Sequence, residues 1–201
     1  MIKDNYIFVH IPKTAGESLE HSLSGHNQFK YFTSYDHINN RPLQHLTATE
    51  IQRELGVVEF SKYYKFTFVR NPFSKCVSEY FWWKRFSQKI TSFREWVYRE
   101  LPSLINQNQT RPVYQKHNIE QYKFIFDRSG RKIINFIGRF ENLQNDFDII
   151  CDKIGIPLQQ LPHKNKTNHK HYTEYYDDET REIVAQKYAK DIEYFGYKFG
   201  E

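Results

Sequence analysis

The sequence predicts an α/β fold: one domain, residues 1–201, with a mainly parallel central sheet flanked by helices. Three observations predict it. Short apolar runs alternate along the chain with amphipathic stretches of helical period, the order expected of strand–helix units on a parallel sheet. The passage from strand through tight turn to helix occurs twice with the same grammar. The length of 201 residues is enough for a substantial core, and the 15 Tyr and 17 Phe supply aromatic bulk for it.

The elements follow in order. Asn5-Tyr-Ile-Phe-Val-His-Ile11 is a nearly continuous apolar run, as in a strand buried on both faces. Pro12 ends it, a short loop with Gly16 follows, and Leu19 and Leu23 at i, i+4 mark a helix closed by Gly25. Thr47 reads as the start of a further helix. Lys65-Phe-Thr-Phe-Val-Arg70 repeats the strand, with Asn71 as N-cap, Pro72 as first helical residue, and Phe73, Val77, Tyr80 and Phe81 along one face. Ile133 to Gly138 is a third strand. Leu143, Phe147, Ile150, Cys151 and Ile154 make the next helix, stopped by Gly155 and Pro157. Val184, Tyr188, Ile192 and Phe195 mark a last helix. Residues 26–41 and 103–117 are polar and irregular, and read as loops lining a site.

Cys76 and Cys151 each fall inside an apolar helical pattern and read as small buried hydrophobes rather than a disulfide. No apolar run approaches the ~20 residues that cross a bilayer. The N-terminus enters a strand almost at once, which leaves no room for a signal peptide, so the expected location is the cytoplasm.

Net charge is +5, and its placement says more than its size. Between Phe60 and Lys89 stand Lys62, Lys65, Arg70, Lys75, Lys84, Arg85 and Lys89, against the single acid Glu79. The segment from His163 to His171 holds Lys164, Lys166 and Lys170 with three histidines and no acid. Two basic patches on a balanced chain suit a compact anionic ligand better than nucleic acid or another general polyanion. The competing reading is two solvated faces.

Two turns carry the chemistry. The first is His10-Ile-Pro-Lys-Thr-Ala-Gly-Glu-Ser18, where amides at a helix N-terminus, Lys13, and the hydroxyls of Thr14 and Ser18 can receive an anion, with Gly16 permitting close approach. It is not a Walker A loop, because Lys13 precedes the glycine and no Gly-Lys-Ser/Thr occurs. The second is Phe66-Thr-Phe-Val-Arg-Asn-Pro-Phe-Ser-Lys-Cys-Val-Ser-Glu-Tyr80. Arg70 ends a strand where open α/β sheets bind ligands, and Ser78 lies eight residues on, about two helical turns away. Arg70 suits a bidentate phosphate clamp and Ser78 a hydroxyl donor. Two such turns imply a ligand with two separated anionic groups.

These residues resemble the sulfotransferases that use PAPS (3′-phosphoadenosine 5′-phosphosulfate), in the branch that includes carbohydrate sulfotransferases. HIPKTAGES is similar to the family's 5′-phosphosulfate loop and FVRNPFSKCVSEY to its 3′-phosphate motif. The similarity continues through Gln44-His-Leu-Thr-Ala48, Ile137-Gly-Arg-Phe-Glu-Asn-Leu143 and Asp191-Ile-Glu-Tyr-Phe-Gly-Tyr-Lys-Phe199, and so spans nearly the whole chain. The resemblance implies a P-loop-kinase-like sulfotransferase fold and PAPS as sulfuryl donor; with no carboxylate cluster beside the phosphate loop and Lys13 to supply positive charge, no metal is expected. The resemblance places the 5′ side of PAPS on Lys13, Thr14, Ala15, Gly16, Glu17 and Ser18, and the 3′-phosphate on Arg70 and Ser78. Asn165 and Thr167 resemble a family loop near the nucleotide. Glu17 stands where many members carry Thr; an acid facing the phosphosulfate would repel it, so Glu17 is expected to point away. Ser74-Lys75 replaces a frequent Asp-Arg pair, so a salt bridge is not assumed there. Members of the Golgi branch carry a membrane anchor, and none is expected here.

His45 resembles the catalytic base of related enzymes, with a hydrogen-bonding loop residue as the competing reading. His10, ending a buried strand, reads as a core or loop-bracing histidine, and His37 is undetermined. Arg139 and Glu141 read as structural, and Trp82 and Trp83 as core rather than an adenine platform. The spacings of the 163–171 histidines match no metal site. The expected reaction is in-line sulfuryl transfer to a hydroxyl-bearing acceptor, a glycan by the branch resemblance, with Lys13 stabilising the leaving phosphate and His45 taking the proton. The rivals are an ATP-dependent small-molecule kinase, which lacks its glycine-lysine loop and magnesium carboxylate, and a non-catalytic nucleotide- or polyanion-binding module.

Overall fold

The computed structural model describes residues 2–3, 5–24, 35–36, 41–42, 45–85, 91–103, 116–162 and 169–201. They gather into two compact units interleaved along the chain, Met1–Val69 with Gln121–Lys164 and Arg70–Glu120 with Asn165–Glu201.

In the first unit, the apolar runs form a four-stranded sheet. Ile2–Lys3 (β1) pairs antiparallel with Tyr6–Val9 (β2), a hairpin edge that the unbroken apolar run did not foretell. Tyr64–Val69 (β5) and Phe136–Arg139 (β6) continue the sheet in parallel, in the order β1-β2-β5-β6. The third strand thus begins three residues later than the pattern at Ile133 suggests. Val9 lies opposite Thr67, and Thr67 opposite Ile137, so the carboxyl ends of the three parallel strands share one edge. A two-stranded pair, Tyr35–Asp36 (β3) with Arg41–Pro42 (β4), overlaps the span 26–41 read as loop.

Alternation along the strands sets the core. Tyr6, Phe8, Phe66 and Phe68 pack on Leu19 and Leu23 of Gly16–Ser24 (α1) and on Phe147, Ile150, Cys151 and Ile154 of Leu143–Ile154 (α6). Gly138 is needed there, since a β-carbon would fall 2.5 Å from the Phe68 ring. The Thr67 hydroxyl donates to the Val9 carbonyl at 2.7 Å and ties β5 to the end of β2. Ala48–Leu55 (α2) opens on a capping box between Thr47 and Glu50, as Thr47 predicts. Gly56, at φ 81°, turns the chain directly into Val57–Lys62 (α3).

In the second unit, Pro72–Lys84 (α4) begins as read, with the Asn71 side chain accepting from Phe73 N and Pro72 in the first turn. Its Phe73, Val77 and Tyr80 pack with Phe93, Trp96, Val97 and Leu101 of Phe93–Ser103 (α5) and with Val184 of Asp178–Lys187 (α7). The sequence signal for α5 is Ser92-x-x-Glu95, and Ser92 Oγ accepts from Glu95 N at 3.1 Å. The single last helix expected over Val184 to Phe195 is two, α7 and Ala189–Phe195 (α8). The chain breaks at Tyr188 (φ −110°, ψ 25°), whose buried hydroxyl donates to Asn118 O at 3.2 Å. Cys76 and Cys151 are free and buried, as their settings predict. Among the described residues no helix is long and apolar enough to cross a membrane.

Candidate active site

The first turn is built from backbone conformations that side chains resist. Lys13 (φ 66°) and Ala15 (φ 67°) are both left-handed, one on each side of Thr14. Such conformations cost on the order of 1–3 kcal/mol each and persist where the surroundings enforce them. Here Thr14 Oγ1 donates to Ile11 O at 2.9 Å, and the buried Ile11, Pro12 and Thr14 anchor the turn. Ala15 O accepts from Ser18 N at 3.0 Å and Leu19 N at 3.2 Å, so α1 begins at once. Left-handed residues alternating in a turn direct successive amides into one concavity, an arrangement that suits anions. The first amides of α1 carry the positive end of the helix, which favours an anion there.

Two details add to the sequence reading. Gly16, read as permitting close approach to an anion, also makes room for the imidazole, since a β-carbon there would lie 1.8 Å from His10 Nε2. Thr14 is fully buried and its hydroxyl proton is committed to Ile11 O, which leaves its backbone amide as the group an anion can use. Ser18 is buried, Lys13 half-buried and Glu17 exposed.

Behind this turn, His10 and His45 meet. His10 is buried, its Nδ1 lies 2.7 Å from Glu20 Oε1, and its ring stacks on Phe8 with centroids 5.6 Å apart. His45, also buried, donates from Nδ1 to the His10 carbonyl oxygen at 2.9 Å. The two rings stand edge to face at 4.4 Å. His45 is itself left-handed (φ 67°), held between this hydrogen bond and the capping box of α2 two residues on. With Nδ1–H bound to a carbonyl, the neutral ring carries its lone pair at Nε2, the form a general base requires.

In the second unit, Arg70 directly follows β5 and is buried. Its Nε and Nη2 both donate to Ser74 Oγ, at 3.0 and 2.8 Å, which fixes the plane of the guanidinium. Ser74, four residues on, therefore orients Arg70 through a neutral hydroxyl. Ser78 is buried on the same helix, α4. Lys75 points elsewhere: its Nζ donates to His117 O at 2.5 Å, and burial pushes its ammonium below the ordinary lysine range. The adjacent Glu79 carboxylate lies 2.7 Å from His117 Nδ1. Asn71 Nδ2 donates to Lys198 O at 2.9 Å, fastening the N-terminus of α4.

The structure thus brings Lys13, Thr14, Ala15, Gly16, Ser18 and His45 together with His10 and Glu20 in one unit, and Arg70 with Ser74 and Ser78 in the other. Asn165, Thr167 and His37 lie outside the described residues. Trp82 is half-buried against Trp83 and His117. Among the described residues no group of His, Cys, Asp and Glu is arranged to hold a metal. The Glu20–His10 contact left no signal in the sequence, since ten residues separate the pair across a turn.

The model of the sulfotransferase family matches residues 2–198. The chain belongs to the sulfotransferase family. Its sequence is 34% identical to an uncharacterized protein of Archaeoglobus fulgidus over 113 residues, 56% of this chain and 84% of that protein. Its fold is similar to the crystal structure of a sulfotransferase from Alicyclobacillus acidocaldarius, with a TM-score of 0.52 and 17% identity over 96% of this chain and 94% of that one. The family membership agrees with the resemblance seen in HIPKTAGES and FVRNPFSKCVSEY, and the sulfotransferase fold with the α/β reading.

Proposed function

We propose that this sulfotransferase transfers a sulfuryl group from PAPS to a hydroxyl of a carbohydrate acceptor. The observation that carries the reading is His45, fixed with its lone pair at Nε2 immediately behind an anion-receiving turn. The residues present fit the donor. The left-handed Lys13 and Ala15, the opening amides of α1 and the Lys13 side chain suit a 5′-phosphosulfate. Arg70, oriented by Ser74, and Ser78 suit a 3′-phosphate, for which a planar guanidinium is the fitting partner. PAPS supplies the activated sulfuryl group.

The chain's own residues then have distinct tasks. His45 Nε2 takes the proton that the acceptor hydroxyl gives up as its oxygen bonds to sulfur. Lys13 and the loop amides stabilise the negative charge left on the departing phosphate oxygen. Arg70 and Ser78 hold the donor in register, converting part of its binding energy into orientation. The carbohydrate acceptor follows from the branch of the family that HIPKTAGES resembles.

The test is to incubate the protein with labelled PAPS and a panel of glycans, lipid alcohols and small alcohols, with EDTA present, and with ATP and magnesium in parallel. Label is expected on a glycan, in the presence of EDTA, from PAPS alone. Transfer from ATP with magnesium, and none from PAPS, would replace this reading with a kinase.

A further inference from the structure

We propose that the Glu20–His10 pair is a positioning device for sulfuryl transfer, one imidazole that aligns the base His45 with the first turn of α1; the proposal rests on His45 being the base. His10 is more than a filled strand end. Its backbone carbonyl accepts His45 Nδ1–H at 2.9 Å, and its ring meets the His45 ring edge to face at 4.4 Å. The same ring occupies the space where Gly16 would carry a β-carbon, with Nε2 closest at 1.8 Å. Glu20 closes the arrangement by taking Nδ1 at 2.7 Å.

The geometry of α1 gives the contact its meaning. Gly16 and Glu20 are four residues apart and so share one face of the helix. His10 touches both, and therefore registers the position of that first turn through two points. A core histidine needs only one hydrogen-bond partner, which the backbone can supply. Placing a carboxylate against a buried imidazole instead draws Glu20 partly out of water, to 25% exposure, a cost that the pair alone must offset. What the pair secures is orientation: with Nδ1 held by Glu20, the ring cannot flip, and His45 keeps a fixed wall on one side and a fixed acceptor on the other. Ligating histidines in metal sites are oriented by carboxylates in the same manner.

The test compares Glu20→Gln with Glu20→Ala in the full chain. The amide oxygen of Gln can still accept from His10 Nδ1, whereas Ala removes the partner. Two-bond proton–nitrogen spectra of the histidines report tautomers directly. In the wild type, His10 and His45 should both appear as Nδ1–H forms when neutral, and Glu20→Gln should preserve both. Glu20→Ala should release the His10 tautomer and broaden or shift the His45 signals. In turnover assays with PAPS, Glu20→Ala should lower kcat about 10- to 100-fold, the range seen when an orienting partner is lost, with PAP affinity within about threefold. Glu20→Gln should stay within about threefold of wild type, the rescue that a merely structural role does not require. If Glu20→Ala fails to fold, Glu20→Leu, which keeps the aliphatic packing, makes the same comparison. Unchanged His45 signals and unchanged kcat in the folded variant would overturn the proposal. If His45→Ala retains turnover while Glu20→Ala still disturbs the His45 signals, the base assignment fails and the clamp on His45 stands.

Discussion

The Nδ1 of His45 donates to the backbone carbonyl of His10 across 2.9 Å. A carbonyl oxygen only accepts, so the neutral imidazole of His45 must hold its lone pair at Nε2. A hydroxyl acceptor is a weak nucleophile near neutrality and needs a proton acceptor of that kind, for which the ordinary histidine pKa of ~6.5 is suited. His45→Ala is expected to lower kcat by about 10²–10⁴ while PAP affinity barely changes. The rate should rise with pH through one ionisation in the wild type, and that limb should vanish in the variant. Steady-state kinetics across pH, with calorimetry of PAP, check both parts. Lys13→Ala should depress kcat and nucleotide affinity together, which separates its role from that of His45.

Arg70 donates from Nε and Nη2 to the Ser74 hydroxyl, a neutral group that fixes the guanidinium plane without neutralising its charge. PAP should therefore bind well above adenosine 5′-phosphosulfate, which lacks the 3′-phosphate. Arg70→Ala should remove most of that preference, a loss of roughly 1.5–3 kcal/mol for a charge-assisted contact. Ser74→Ala should weaken it less, because the charge remains and only its orientation is released. Titration calorimetry of both nucleotides against the three proteins is the measurement. Equal affinity of the wild type for both would remove Arg70 from the site.

Gly16 should not accept alanine. The added β-carbon would overlap the His10 ring, and overpacking of this sort costs typically 1–3 kcal/mol. Gly16→Ala is expected to lower the melting temperature and weaken PAP binding. His10→Ala in the same chain vacates the ring's space and should restore part of the stability. A double-mutant cycle by thermal denaturation measures the coupling; additive losses would mean the two residues do not meet.

Asp177 caps α7, and its carboxylate accepts from Thr180 N at 2.8 Å. Those Thr180 hydrogen bonds, with Arg94 beside them, hold its pKa down at about 2 from the ordinary 3.8. A depressed folded-state pKa contributes stability above the unfolded value, and that contribution is lost as pH falls through about 2. Asp177→Ala should cost about 1 kcal/mol at neutral pH, the usual loss of a cap. The gap in melting temperature between variant and wild type should narrow as pH falls below the ordinary carboxylate value. A gap independent of pH would show that the charge plays no part.

Burial pushes the Cys76 thiol up to about 12 and the Cys151 thiol up to about 11. Both should resist a thiol reagent at mildly alkaline pH in the folded protein and react fully once denaturant is added. Rapid labelling of either in the native state would contradict its setting in the core.

Much of the fold was legible because local physics and tertiary structure agree at those positions. The apolar run around Phe8, the Asn71-Pro72 start of α4 and the Gly155 stop of α6 each require a residue type that the fold then uses for the expected reason. The break at Tyr188 was not legible, because the helical period of Val184, Tyr188, Ile192 and Phe195 runs through it unchanged. At that break the Tyr188 hydroxyl bonds to Asn118, a residue seventy positions away.

The candidate site divides along the same line. The sequence by itself determined the chemistry available: a lysine in a turn before a helix, an arginine and a serine after a second strand, and a histidine able to serve as base. Those are properties of residue types and short spacings, and short spacings fix local geometry. Only the tertiary structure decided that Gly16 makes room for the His10 ring, that the Ser74 hydroxyl orients Arg70, and that His10 and Glu20 stand behind His45. His10 and His45 are thirty-five residues apart and meet because the end of β2 and the start of α2 fold onto one another. No spacing rule encodes that contact; burial and hydrogen-bond completion do, and these act only once the chain has packed.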